Sequence, residues 1–205
     1  MFLAELAEAL NSTAVRPIDR VSIAKIISTR REALQAVDLL LSPISQLIDD
    51  PFERELAEGE LSICRIAQRR FKDAMRIISP DRSRLEQLGI RSNFNFAIAE
   101  WGATGIVPVD LFRRVVLLNE SSPGEGANYL QCLAIAFWAV GQPTVAERYV
   151  LLSRQTLIER SSNEREKVFS AWRYLRVEND LFEEDLNSLQ SMISGESEEV
   201  PLVFQ

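Results

Sequence analysis

Residues 128–154 read NYLQCLAIAFWAVGQPTVAERYVLLSR. Leu130, Leu133, Ala134 and Phe137 recur at helical spacing, Gly141 breaks the pattern, and Val145, Ala146, Val150 and Ser153 resume it in a second helical phase. The expectation is a helix, a tight turn and a second helix, with small residues where the two touch. Working outward, Gly105 and Arg69 stand at the corresponding turn positions, each 36 residues before the next, and Asp180 follows Gly141 by 39. Periods between about twenty and fifty residues mark stacked supersecondary repeats. Arg69 stands where the 128–154 unit has Gly141, which weakens that copy.

Composition agrees with an all-α class. Apolar residues make up 46% and charged residues 26% of 205 positions, and the eight Gly and eight Pro fall mostly between periodic segments. The net charge of −7 disfavours general binding to nucleic acid or an anionic membrane, because an acidic surface repels phosphate. The doublets Arg30-Arg31, Arg69-Arg70 and Arg113-Arg114 are read as solvated helix faces. Cys64 and Cys132 are isolated within apolar pattern, which fits two buried reduced thiols better than a disulfide framework. The opening MFLAELAEAL has acids and no early base, so it reads as an amphipathic helix rather than a signal peptide. No apolar run approaches the roughly 20 residues of a membrane span, and a cytoplasmic location is expected.

Three regions are expected. Residues 1–50 form an N-terminal helical segment packed on the rest, 51–194 carry the repeats, and 195–205 are an acidic tail. Asp49-Asp50-Pro51 ends one helix and opens the next, with proline at the first helical position. A helix pair follows on either side of Arg69, ending at Ser79-Pro80, and another on either side of Gly105, ending at Ser121-Ser122-Pro123. After residue 154, Ser161-Ser162-Asn163 is read as a break, followed by helices through Phe169–Trp172–Leu175 and Phe182–Leu189–Ile193.

The 128–154 stretch resembles a tetratricopeptide (TPR) repeat. The family's large, Leu-small, aromatic, Gly, Ala, large, small sequence of roles falls on Leu130, Leu133-Ala134, Phe137, Gly141, Ala146, Val150 and Ser153. The other copies are degenerate: Asp110 replaces the small second-helix residue, and the copy at 169–193 loses the small residues. The resemblance implies an all-α, right-handed array of antiparallel helix pairs with a concave groove. It would turn Asn128, Gln131, Ile135 and Trp138 toward that groove, with Arg91, Asn95, Lys167 and Tyr174 as their counterparts in neighbouring copies. Amides, cations and aromatics in one stripe suit an extended peptide. The competing reading makes Trp138 and Ile135 inter-repeat core. A clamp for a chaperone's terminal carboxylate would fall on Gly59, Ile63, Asn95, Asn128 and Cys132, of which only Asn95 fits.

No chemistry competes with binding. The chain has no His, no phosphate-loop motif and no nucleophile elbow, and its carboxylate runs are contiguous and splay around a helix. No catalytic residue, metal ligand or cofactor is assigned. Glu100, set among Phe96, Ala97, Ile98 and Trp101, is a functional acid, the partner of a neighbouring arginine or a solvent-facing side chain. The expected function is a protein-interaction module, acting as adaptor, chaperone or regulatory subunit, that holds a peptide or partner protein. The alternative is a small-molecule sensor with ligand held near Trp101, Trp138 and Trp172. Apolar ends at Phe2-Leu3 and 200–204 can also seed a homodimer.

Overall fold

The computed structural model describes residues 5, 15–16, 19–21, 23–24, 34–42, 48–123, 127–164 and 182–196, and no strand occurs among them. The helices are α1 (Leu34–Leu41), α2 (Pro51–Ala67), α3 (Phe71–Ile78), α4 (Ile90–Thr104), α5 (Val109–Ser121), α6 (Ala127–Ala139), α7 (Pro143–Glu164) and α8 (Phe182–Ser194). A 3-10 helix, Ser83–Gln87, lies between α3 and α4. The fold is all-α. Each helix from α1 to α7 packs on its successor, and α2 also packs on α4, and α4 on α6. The first helices of successive pairs therefore touch each other as well as their own partners.

Local chemistry sets the boundaries. Asp50 caps α2 by accepting from the Glu53 N–H at 2.8 Å, with Pro51 at the first position, a cap worth about 1 kcal/mol. At the other end, Arg69 takes φ 60°, the left-handed conformation. The Arg69 N–H donates to Ile66 O and the Arg70 N–H reaches back five residues to Arg65 O at 2.8 Å. Gly141, at φ 82°, does the same: its N–H donates to Trp138 O, and the Gln142 N–H donates to Phe137 O at 2.9 Å. This is the double closure that satisfies the last carbonyls of a helix. Gly105, at φ 72°, closes α4 with one bond, its N–H to Trp101 O at 2.7 Å. A left-handed residue thus recurs at 69, 105 and 141, and the arginine at the first of these adopts the conformation that glycine supplies at the other two.

Two apolar clusters fill the interior. Val21, Ala24, Ala36, Leu40, Leu41 and Ile48 pack with Ala57, Leu61 and Cys64 of α2. The larger cluster runs from Ile66 and Ala74 through Phe94, Phe96, Phe112, Leu133, Ile135 and Val150 to Leu189 and Met192. In the α6–α7 hairpin, Leu133, Ala134, Ala146, Val150 and Ser153 are all buried, and Phe137 stacks on Tyr149 at 5.1 Å. At Gly102, a Cβ would meet the Phe71 ring at 2.5 Å, so glycine is what lets α3 and α4 approach here.

Two features differ from the expectation. Helix α7 runs unbroken through Ser161, Ser162 and Asn163, and its 22 residues end at Glu164. Residues that favour caps are tolerated inside a helix when no competing turn forms. The 3-10 helix is also new: Arg82 enters it at φ 64°, and Leu85 and Leu88 are buried beneath it. The expected helix around Phe169–Leu175, the turn at Asp180 and the segments 2–4, 6–10 and 200–204 lie outside the described residues.

Candidate interaction surface

The first helices position the expected groove residues, and their mutual packing decides which of these reach the surface. Asn95 on α4 is 2% exposed. Its amide donates to the Ser62 hydroxyl at 3.1 Å and toward Gly59 O at 3.4 Å, both on α2. Ser62 in turn donates to Gly59 O at 2.7 Å. The one position that fitted a carboxylate clamp is therefore spent on joining two helices of the same chain. Ile135, 0% exposed, belongs to the core, and burying it contributes roughly 1.5–3 kcal/mol. Gln131 is 3% exposed, and its Nε2 has no hydrogen-bond partner among the described residues. These three side chains face the interior rather than a groove.

Arg91 and Trp138 remain accessible. Arg91 is exposed and reaches from α4 to α2, where its guanidinium pairs with Glu60, a carboxylate whose side chain is 6% exposed. Its Nε lies 4.0 Å from where a Cβ on Gly59 would sit, so it crosses α2 at a residue without a side chain. Arg91 also lies near enough to Cys132 of α6 to offset part of the burial that pushes that thiol up to about 12. The guanidinium thus joins α4 to α2, and its charge is felt on α6. Trp138, half-buried, stacks on Trp101 with ring centroids 5.6 Å apart and planes 20° from parallel. The two rings join the last turns of α4 and α6, and Trp101 also meets Phe112 edge-on at 6.2 Å. Asn128 sits in the first turn of α6. Lys167 and Tyr174, like Trp172, lie outside the described residues.

Beneath this surface the polar groups are structural. Glu55 on α2 accepts from the Gly89 N–H at 2.9 Å and the Ser92 hydroxyl at 2.8 Å, so it caps α4 from a neighbouring helix. Buried Asn93 donates to Leu85 O, Leu88 O and Gly89 O and accepts from Arg114 Nε at 2.9 Å. That node fixes the 3-10 helix against α4 and α5. Glu100 takes its arginine-paired alternative. Both its oxygens accept from Arg82, which also reaches Asp110 at 3.1 Å. The hydrogen bonds Arg82 donates to Glu100, and then the charges of Glu100 and Asp110, hold Arg82 above the usual guanidinium range.

Pattern alone missed Glu60, the counter-charge of Arg91. The available signal was an acid among Leu56, Ala57, Gly59 and Leu61, but its partner lies 31 residues away. Among the described residues no three His, Cys, Asp or Glu side chains converge as a metal site, and no helix is long and apolar enough to cross a membrane. Comparison with protein-family models, curated proteins and solved structures finds no match.

Proposed function

We propose that the chain is a TPR-like stack of helix hairpins that holds a peptide or partner protein along the exposed edge of its first helices. The observation that carries this reading is the recurrence of one left-handed turn at Arg69, Gly105 and Gly141, 36 residues apart, combined with packing of α2 on α4 and α4 on α6. A repeat that stacks first helix on first helix leaves a continuous edge across all of them, which is the surface such arrays use. On that edge Arg91 offers a cation and Trp138 a ring. An extended peptide engages such groups through its carbonyls, acidic side chains and apolar side chains.

The test is affinity capture from the source cell with the wild-type chain and with Arg91→Gln/Trp138→Phe. These changes keep a donor beside Glu60 and a ring on Trp101, and circular dichroism checks the fold. Loss of a reproducible partner in the variant is expected. An unchanged partner set with an intact fold rejects the edge as the binding surface.

A further inference from the structure

We propose that the basic turn between α2 and α3 docks the acidic C-terminal stretch of a second copy of this chain, joining molecules head to tail. This turn shares no residue with the Arg91–Trp138 edge, so either reading can fail without the other.

Arg65, Arg69, Arg70, Lys72 and Arg76 fall close together in the sequence where α2 ends and α3 begins. Two carboxylates answer them. Asp38 pairs with Arg65 and, at 3.3 Å, with Arg70. Asp73 pairs with Arg70 at 2.7 Å and Arg76 at 3.2 Å, and these arginines hold it below the usual carboxylate range. Both acids are thus engaged, while Arg69 and Lys72 are exposed and make no ion pair among the described residues. Three positive charges are left over on one turn.

The backbone makes the same point. Gly105 and Gly141 occupy the left-handed position without penalty, whereas Arg69 occupies it at φ 60° with a side chain whose steric cost the other two turns avoid. What the arginine adds is a cation in solvent at the tip of the turn.

The complementary charge lies at the far end of the same chain. Residues 177–205 hold eight acids and no base, so residues 1–176 carry +1 and the last 29 carry −8. Helix α8, within that stretch, packs on α6 and α7, beyond the α4–α5 pair from the basic turn, and its end is followed by Glu196, which is exposed. With the α4–α5 and α6–α7 pairs between the basic turn and α8, the proposed pairing runs between molecules. Such a contact is heterologous and builds chains of copies rather than a closed pair.

The test uses the full chain and a labelled peptide of residues 194–205, SGESEEVPLVFQ, in fluorescence anisotropy at low salt. A second peptide carries Gln in place of Glu196, Glu198 and Glu199. The protein variant is Arg69→Gly/Lys72→Gln, which removes both unpaired cations and relaxes the turn, so a binding loss is not an unfolding artefact. Binding is expected for the wild-type pair. It should weaken by about tenfold for the Gln peptide, for the variant, and for the wild-type pair at roughly 0.3 M salt, as screened surface pairs do. Sedimentation of the full chain should show mass rising with concentration at low salt, and not in the variant. The proposal is overturned by equal binding of the Gln peptide, by undiminished binding to the variant, by a monomer at every concentration, or by duplex DNA displacing the peptide from the turn. Loss of peptide binding in Arg91→Gln/Trp138→Phe overturns it as well, by moving the site to the other edge.

Discussion

Arg69→Gly replaces a side chain at a position whose backbone, φ 60°, suits glycine. A left-handed residue with a Cβ carries about 1–2 kcal/mol of steric cost. Glycine returns roughly 0.5–1 kcal/mol of that as extra freedom in the unfolded chain. The variant should gain about 0.5–1 kcal/mol, since the exposed Arg69 side chain makes no ion pair among the described residues that the change removes. For a chain of this size that is a rise in Tm of roughly 2–4 °C per kcal/mol. Urea unfolding followed by circular dichroism measures it as a higher midpoint at unchanged slope. Gly141→Ala is the mirror control. Nothing lies within 4 Å of its Cβ, so its cost of about 1 kcal/mol is backbone alone. If Arg69→Gly lowers the midpoint, or Gly141→Ala leaves it unmoved, the two turns are not equivalent and the repeat reading loses its main support.

Three further outcomes follow from packing and burial. Gly102→Ala places a Cβ 2.5 Å from the Phe71 ring, and the resulting overpacking, about 1–3 kcal/mol, outweighs the roughly 1 kcal/mol that alanine gains in a helix; a lowered urea midpoint is expected, and a raised one would show that Phe71 does not lie across α4. Gln131→Leu removes a buried donor without a partner among the described residues while keeping similar volume, so a gain of about 1 kcal/mol is expected in the same assay, and a clear loss would reveal a partner for the amide. Burial pushes the Cys64 thiol from 9.0 up to about 12. Between those values the unfolded chain has lost the proton and the native chain has kept it, so stability is intact below pH 9 and falls as pH rises, by up to ~1.4 kcal/mol per unit. Urea midpoints at pH 8 and pH 10.5 should therefore drop further in the wild type than in Cys64→Ala, and equal drops would place the thiol in water.

Features set by neighbouring residues were legible in the sequence. Asp50-Pro51 announced the start of α2, and the spacing of 69, 105 and 141 located the turns even where arginine stood in for glycine. The buried small residues of the α6–α7 hairpin were also readable, because helical period alone places Ala134, Ala146 and Ser153 on facing sides. Features that depend on distant partners were not. Asn95 looked like a groove amide, but its fate is set by Ser62, 33 residues earlier, and Glu60 finds Arg91 across 31 residues. Gln131 and Ile135 fell on the expected stripe, yet stacking of adjacent pairs covers that part of it. Ser161-Ser162-Asn163 carried the composition of a cap, yet all three are helical within α7.

Exposed apolar side chains on the second helices, Leu117 at 57% and Leu151 at 56%, offer a rival binding face. Partner affinity, measured side by side for Arg91→Gln/Trp138→Phe and for Leu117→Ala/Leu151→Ala with purified captured partner, separates the two faces most directly. Binding along the first helices requires a loss of about tenfold or more, near 1.4 kcal/mol, in the first variant and wild-type affinity in the second. The reverse pattern would contradict it.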